Sequence, residues 1–143
     1  MVGLVIAAHG HLAEELVATA EQIVGPLPMT ATCSIEPEAS PEEIREQMRR
    51  AVAAVDSGDG VLVLADLFGG TPCNQGLTLT RERRVEVLTG INLPMILKAN
   101  SLRTEPLSLS ELAYALTRYG QKNITCASDL LRAANSGLTP RSS

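Results

Sequence analysis

Val61 to Ala65, five consecutive aliphatic residues, is the feature that most constrains what this chain can fold into. A short, wholly apolar run bounded by glycine and polar residues is typical of a strand buried on both faces, as in a parallel sheet. Val2 to Ala8 has the same character. Met29 to Ile35 and Val85 to Thr89 contain β-branched residues, which favour strands. Four strands are therefore predicted.

Segments with helical spacing of apolar residues lie between these strands. His11 to Val24 is predicted as the first helix, and its stripe at helical spacing is formed by Leu12, Leu16, Thr19 or Ala20, and Ile23. The next helix begins at Ser40, where an N-cap, a proline at the first helical position and a capping-box glutamate, Glu43, follow in order. Its buried stripe is predicted to consist of Ile44, Met48, Ala51, Val52 and Val55.

The second half of the chain continues the alternation. Helices are predicted over about Pro72 to Thr80, from Pro94 onward, and from Ser108 to Tyr119 with Gly120 as the C-terminal cap. The segment Asn123 to Ala127 is consistent with either a short edge strand or the lead into a final helix.

The element order β-α-β-α-β-α-β-α predicts the fold class. It is typical of an α/β protein with a doubly wound, mostly parallel four-stranded sheet and helices on both faces. Residues 1–136 are predicted to form a single domain, and residues 137–143 a disordered tail.

Composition excludes several function classes. Aromatic residues make up 2% of the chain and the formal net charge is −4, so no nucleic-acid partner is expected. Three cysteines, far apart in the sequence, favour a reduced intracellular protein. The N-terminal apolar run lacks the basic flank of a signal peptide, and no stretch approaches the ~18 apolar residues of a membrane span. A cytoplasmic location is therefore predicted.

Three loops at the carboxyl ends of predicted strands are candidates for a functional site, because open α/β sheets bind ligands at that edge. The first contains His9 and Gly10, where the histidine can present a ring nitrogen to the cleft and the glycine lets the chain turn closely, so that Gly10 is predicted to help bind a phosphate there. The helix that follows offers free N–H groups to an anion. A hydrogen-bonded structural histidine is the alternative reading of His9.

Asp66, directly after the third strand, is the second candidate. If the first and third strands are neighbours, its carboxylate can accept a ring N–H from His9, fix the tautomer and leave the other nitrogen free as a nucleophile. Gly69 and Gly70 bring bare backbone close to a bound anion, and the Thr71 hydroxyl can donate to a phosphate oxygen. A turn or helix cap is the alternative reading of this loop.

Other residues near this edge are weaker candidates for a functional role. His11 is read as a surface or supporting residue, and Cys73 as buried and inert, while Asn74 lies near the same cleft. No Walker loop, nucleophile elbow or metal-ligand spacing occurs in the sequence, so no cofactor and no metal are expected.

In order and spacing, the segments Ala8 to Gly10, Asp66 to Pro72 and Gly90 to Met95 resemble the enzyme IIA domain of the mannose/fructose/sorbose family of bacterial sugar phosphotransferase systems. The resemblance covers roughly residues 1 to 120. It implies a homodimer, in which residues 123–127 can add an antiparallel edge strand to the partner's sheet. It also implies that His9 is the phosphoryl acceptor, that Asp66 pairs with it, and that Thr71 occupies the hydroxyl position of the phosphate loop.

The same resemblance implies a phosphotransferase that takes its phosphoryl group from the phosphocarrier protein HPr and passes it to enzyme IIB. Association with the membrane subunits IIC and IID would then be peripheral and through IIB. Two alternatives stay open, a regulatory phosphoprotein without a transport role and the phosphocarrier of a dihydroxyacetone kinase system. The sugar is not encoded here, because in such systems it meets the membrane subunits.

Overall fold

The computed structural model describes residues 1–67 and 69–137, and its centre is a four-stranded parallel sheet. The strand order is β2-β1-β3-β4, with β1 over Gly3–His9, β2 over Thr30–Ile35, β3 over Val61–Ala65 and β4 over Val85–Leu88. Every pairing in the sheet is parallel. The predicted fold class is confirmed, and each strand lies within a residue or so of its predicted bounds.

Helices cover both faces of the sheet. They are α1 (Leu12–Val24), α2 (Pro41–Val55), α3 (Thr71–Leu79), α4 (Leu93–Leu102), α5 (Leu109–Lys122) and α6 (Ala127–Ser136). One core cluster joins α1, α4 and α5 to one face, and a second joins α2 and α3 to the other. In β1, Leu4 and Ile6 belong to the first cluster, and Val5 and Ala7 belong to the second. This alternation arises because successive side chains of a strand point to opposite sides of the sheet.

Side-chain caps start several helices where the sequence predicts them. The Ser40 hydroxyl accepts the Glu43 N–H, and Asn92 caps α4 in the same way. The complete reciprocal capping box, in which the glutamate side chain also accepts an N–H, is found at Ser108 and Glu111. For α2, the structure describes one half of the predicted capping box, the bond in which the Ser40 hydroxyl accepts the Glu43 N–H.

Three predictions about helices are wrong. Leu12 and Ile23, assigned to the buried stripe of α1, are 45% and 58% exposed, so α1 packs through Ala13, Ala20 and the half-buried Leu16 instead. Gly120 does not end α5, which continues to Lys122. A Cβ at Gly120 would lie 2.9 Å from the Met95 sulfur, so this glycine permits close packing of α5 on α4.

The C-terminal segment follows the helical alternative. Residues 123–126 belong to no strand or helix, and α6 covers Ala127–Ser136 and is capped by Gly137 in the left-handed conformation. The rest of the predicted tail, residues 138–143, lies outside the described residues. Among the helices of the described residues, none has the length and apolarity needed to cross a bilayer.

Arg103 is a buried structural residue that the sequence patterns did not single out. Its guanidinium donates to the carbonyls of Val2, Met29 and Pro28, and so ties the end of α4 to the starts of β1 and β2. Burial lowers the pKa of Arg103 to about 10. This cluster lies at the amino edge of the sheet, opposite to the edge that carries the candidate functional residues.

Candidate functional site

The candidate site lies where the chain order of the strands reverses, between β1 and β3. Ala7 of β1 is paired with Ala65 of β3, so the residues that follow both strands emerge side by side. The two connections then separate, because α1 packs on one face of the sheet and α3 on the other. The position between these two connections is the usual ligand position in a doubly wound sheet.

His9 and Asp66 form a hydrogen-bonded pair at this position. The Asp66 Oδ2 accepts the ring Nδ1 of His9 at 2.7 Å and the backbone N–H of His9 at 3.0 Å. The other carboxylate oxygen, Oδ1, accepts the Leu67 N–H at 2.9 Å. The Asp66 side chain is 10% exposed, while that of His9 is 50% exposed, so a mostly buried carboxylate holds a ring that reaches solvent.

The protonation pattern of this pair follows from its hydrogen bonds. Burial raises the pKa of the Asp66 carboxyl, but the bonds from the His9 backbone, the His9 ring and the Leu67 N–H outweigh it, so the pKa lies below its ordinary value of 3.8. An ionised carboxylate only accepts hydrogen bonds, so Nδ1 of His9 carries the proton. In the neutral ring, Nε2 therefore holds the free lone pair and is the available nucleophile.

The loop between Asp66 and α3 passes directly against the imidazole. Gly69 has φ of +81°, a left-handed conformation that glycine adopts without strain. A Cβ at Gly70 would lie 3.1 Å from His9 Cε1 and 3.0 Å from Leu67 Cδ1. Only a residue without a side chain fits here with no displacement of the ring, so Gly70 lets the loop backbone pass close to His9.

The N-terminus of α3 is better suited to an anion than that of α1. α3 starts at Thr71 after Gly70, which has no side chain to cap it, and its first turn contains no acidic residue. The first-turn N–H groups of Thr71 and Cys73 have no intrahelical acceptor. The first turn of α1 instead carries Glu14 and Glu15, which already complement the positive end of the helix dipole.

Gly10 shapes the site by its conformation. Its φ is +61°, and its N–H bonds to the Ile35 carbonyl at 3.2 Å, so this donor is already used by the sheet. His11 points outward with a side chain that is 77% exposed, and its Nδ1 lies 3.9 Å from Glu14 Oε2. Cys73 is buried, as predicted.

The third predicted loop also reaches this edge. The Ile91 N–H bonds to the Ala65 carbonyl at 3.3 Å, which places the loop after β4 beside the last residue of β3. The Asn92 side chain caps α4 by accepting the Met95 N–H at 3.0 Å. The side-chain oxygen of this asparagine is therefore used within its own helix.

Asn74 has a contact that the sequence did not reveal. Its side-chain Nδ2 donates to the Gly69 carbonyl at 3.1 Å, while its backbone N–H donates to Gly70 at 2.9 Å. A polar residue in the first turn after a double glycine is the only sequence signal for this contact. Within the described residues, no group of histidine, cysteine and carboxylate side chains is arranged to hold a metal ion.

Fold and site together define a class: an open α/β protein that presents a carboxylate-oriented histidine beside a glycine loop and an uncapped helix N-terminus. The family model described as the PTS system fructose IIA component, EIIA-man, matches residues 3–116. The chain belongs to this family of IIA components of sugar phosphotransferase systems, which act as transferases.

Relatives agree with this assignment. The chain is 29% identical over 124 residues to the "PTS system mannose-specific EIIAB component" of Escherichia coli K12, covering 86% of this chain and 38% of that protein. The chain thus spans well under half of that relative. It is similar to the crystal structure of phosphotransferase component EIIA from Streptococcus agalactiae, with a TM-score of 0.82, 27% identity and coverage of 90% and 98% of the two chains. The mannose/sorbose IIA subunit from Enterococcus faecalis is 33% identical, with a TM-score of 0.76 and coverage of 87% and 92%.

Proposed function

We propose that this protein carries a phosphoryl group on Nε2 of His9, as the IIA component of a phosphoenolpyruvate-dependent sugar phosphotransferase system in the cytoplasm. The observation that carries this proposal is the 2.7 Å bond between His9 Nδ1 and Asp66 on a ring that is half exposed. It leaves one nitrogen nucleophilic and accessible, with its partner nitrogen protonated.

The proposed step is an in-line displacement. The Nε2 lone pair of His9 forms a bond to phosphorus as the nitrogen–phosphorus bond of the donor's phosphohistidine breaks, and the donor imidazole leaves with that electron pair. The product is a cationic phosphoimidazole that Asp66 stabilises across its 2.7 Å hydrogen bond. No other acid or base is required, so positioning and charge account for the catalysis.

Donors for the phosphoryl oxygens are proposed to come from the start of α3. The Thr71 hydroxyl, the backbone N–H groups of Gly70 and Thr71, and the positive dipole end of this helix are the candidate contacts. Gly69 and Gly10 contribute by letting the chain turn tightly on either side of His9. The N-terminus of α1 is a weaker contributor than the sequence suggests, because its first turn is acidic.

The partners follow from the proposed chemistry. HPr is proposed as the phosphoryl donor and enzyme IIB as the acceptor, with association to the membrane subunits through IIB only. Leu67 supports a protein docking surface, since it is 51% exposed and lies beside Gly70 and the His9 ring. An apolar side chain next to the reactive nitrogen suits contact with another protein.

A homodimer is also proposed. The edge of β4 and the outer face of α5 border a groove of about 640 Å³, which includes the exposed Tyr114 and Ile124. Leu130 and Leu131 of α6 are exposed close by in sequence. An unpaired strand edge with exposed apolar neighbours supports pairing with residues 123–127 of a second copy. Sedimentation equilibrium measures the association directly, and a monomer at high concentration would contradict it.

Transfer of radiolabelled phosphate from phosphoenolpyruvate through enzyme I and HPr tests the proposed function. We expect acid-labile, base-stable label on the wild type and on His11→Ala, and none on His9→Ala. His11 is the matched control because it is a second, exposed histidine two residues away. Absence of label from a folded wild type, supplied with HPr of the same organism, would refute the phosphocarrier role and favour a binding or regulatory function.

A further inference from the structure

Among the described residues, one side chain holds the peptide group between Gly69 and Gly70. The Asn74 Nδ2 donates to the Gly69 carbonyl at 3.1 Å across the loop, and the Asn74 N–H donates to the Gly70 carbonyl at 2.9 Å. The carboxamide bond is not a helix cap, because it reaches a carbonyl that precedes the N-cap residue of α3. It restrains the loop that contacts His9.

A double glycine needs such a restraint. A peptide group between two glycines can rotate to the opposite orientation at little cost, because glycine accepts either sign of φ. Since the peptide is planar and trans, the orientation of the Gly69 carbonyl also sets the direction of the Gly70 N–H. One hydrogen bond to that carbonyl therefore selects between two positions of the donor.

The Gly70 backbone lies beside the ring that is proposed to react. A Cβ on Gly70 would lie 3.1 Å from His9 Cε1, the ring carbon bonded to both Nδ1 and Nε2. The Gly70 backbone thus borders the ring carbon next to Nε2, the atom proposed to carry the phosphoryl group.

We infer that Asn74 is a positioning residue for phosphoryl transfer, which locks the Gly69–Gly70 peptide so that the Gly70 N–H is presented to the phosphoryl group on His9. The inference rests on the proposed function. We expect loss of the Asn74–Gly69 bond to slow phosphoryl transfer and not to weaken folding. Asn74 and Gly69 are both exposed, so loss of their bond leaves no buried polar group unpaired.

Two substitutions separate positioning from stability. Asn74→Ala removes the donor, and Asn74→Asp keeps the shape but offers only acceptors, which repel the Gly69 carbonyl. The aspartate variant should fold, since a carboxylate is favourable in the first turn of a helix. Thr78→Ala is the matched control, because Thr78 is an exposed α3 residue whose hydroxyl donates to the carbonyl of Gln75 in its own helix.

The rate of transfer from phosphorylated HPr is measured for each protein, together with urea unfolding and the ³¹P resonance of phosphorylated His9. We expect kcat about tenfold lower in both Asn74 variants, or roughly 1.4 kcal/mol in the barrier, with KM for HPr unchanged. A shifted ³¹P resonance should accompany the change, while Thr78→Ala matches the wild type. A kcat in Asn74→Ala equal to that of Thr78→Ala would overturn the inference, because this variant removes the donor without adding the anionic charge that Asn74→Asp brings to the start of α3. Absence of label from the wild type would instead refute the proposed function.

Discussion

Replacement of Asp66 by asparagine tests the His9–Asp66 pair with almost no change of shape. The carboxylate accepts three N–H bonds, two on Oδ2 from His9 and one on Oδ1 from Leu67. An asparagine can keep its carbonyl oxygen towards His9 only if its NH₂ group faces the Leu67 N–H, so that two donors meet. The variant thus retains the protonated Nδ1 of His9 but loses the negative charge.

The size of the expected loss in transfer rate follows from the separation of the two charges. At the observed 2.7 Å between Nδ1 and Oδ2, Coulomb's law gives about 1.5 kcal/mol in water and about 6 kcal/mol at an effective dielectric constant of 20. Because the His9 ring is half exposed, the lower part of this range applies, about 2–3 kcal/mol. That corresponds to a transfer rate roughly 30- to 150-fold below the wild type.

Rapid-quench measurement of transfer from phosphorylated HPr gives this rate. Asp56→Asn is the matched control, because the Asp56 carboxylate is also poorly exposed and accepts a backbone N–H, from Gly58, at the opposite edge of the sheet. We expect Asp56→Asn to lose stability but to transfer at the wild-type rate. Urea unfolding of both variants separates the two effects.

A rate for Asp66→Asn within a factor of about three of the wild type would refute the reasoning, since it would leave less than about 1 kcal/mol for the carboxylate. Equal losses in Asp66→Asn and Asp56→Asn would also refute it, because they would trace the slower transfer to weakened folding. Either result would leave Asp66 as a structural anchor for the loop.

Three further predictions concern packing and protonation. Gly70→Ala should slow transfer roughly 10- to 100-fold, because its Cβ would come within 3.1 Å of His9 Cε1 and displace the ring; a wild-type rate would contradict this. Arg103→Met should lower the free energy of unfolding by about 3 kcal/mol, because carbonyls such as that of Pro28 lose their donor, and a urea titration that detects no change would disprove it. The pKa of Asp66 is depressed in the folded state, so its contribution to stability is present above its ordinary value of 3.8 and is lost as the pH falls through the folded-state pKa. The difference in stability between wild type and Asp66→Asn should therefore shrink below about pH 4, and a pH-independent difference in urea midpoints would contradict it.

Local patterns determined much of this fold. Val61 to Ala65 forms a fully buried strand, and Ser40 and Ser108 start helices by capping, because these features depend on neighbouring residues only. Predictions failed where contact with an element distant along the chain determines the structure. Gly120 reads as a helix end, yet it is an interior position that α4 approaches too closely for a side chain.

The apolar stripe of α1 failed for a related reason. Leu12 and Ile23 have helical spacing, but the buried face of α1 is centred on Ala13 and Ala20, roughly 80° further around the helix, so both side chains lie at its margin and remain exposed. Periodicity shows which residues share a face and does not show how much of that face another element covers.

Some features of the candidate site also follow from local sequence, while others depend on the tertiary structure. The sequence by itself determined that a histidine, an aspartate and a double glycine follow buried strands, which limits them to the carboxyl edge of a parallel sheet. Only the tertiary structure decided that β1 and β3 are neighbours, that Asp66 bonds to Nδ1 of His9, and that Asn74 holds the Gly69 carbonyl. These contacts join residues that are far apart along the chain or lie across a turn, and they depend on strand order and on the path of a loop, which local propensities do not specify.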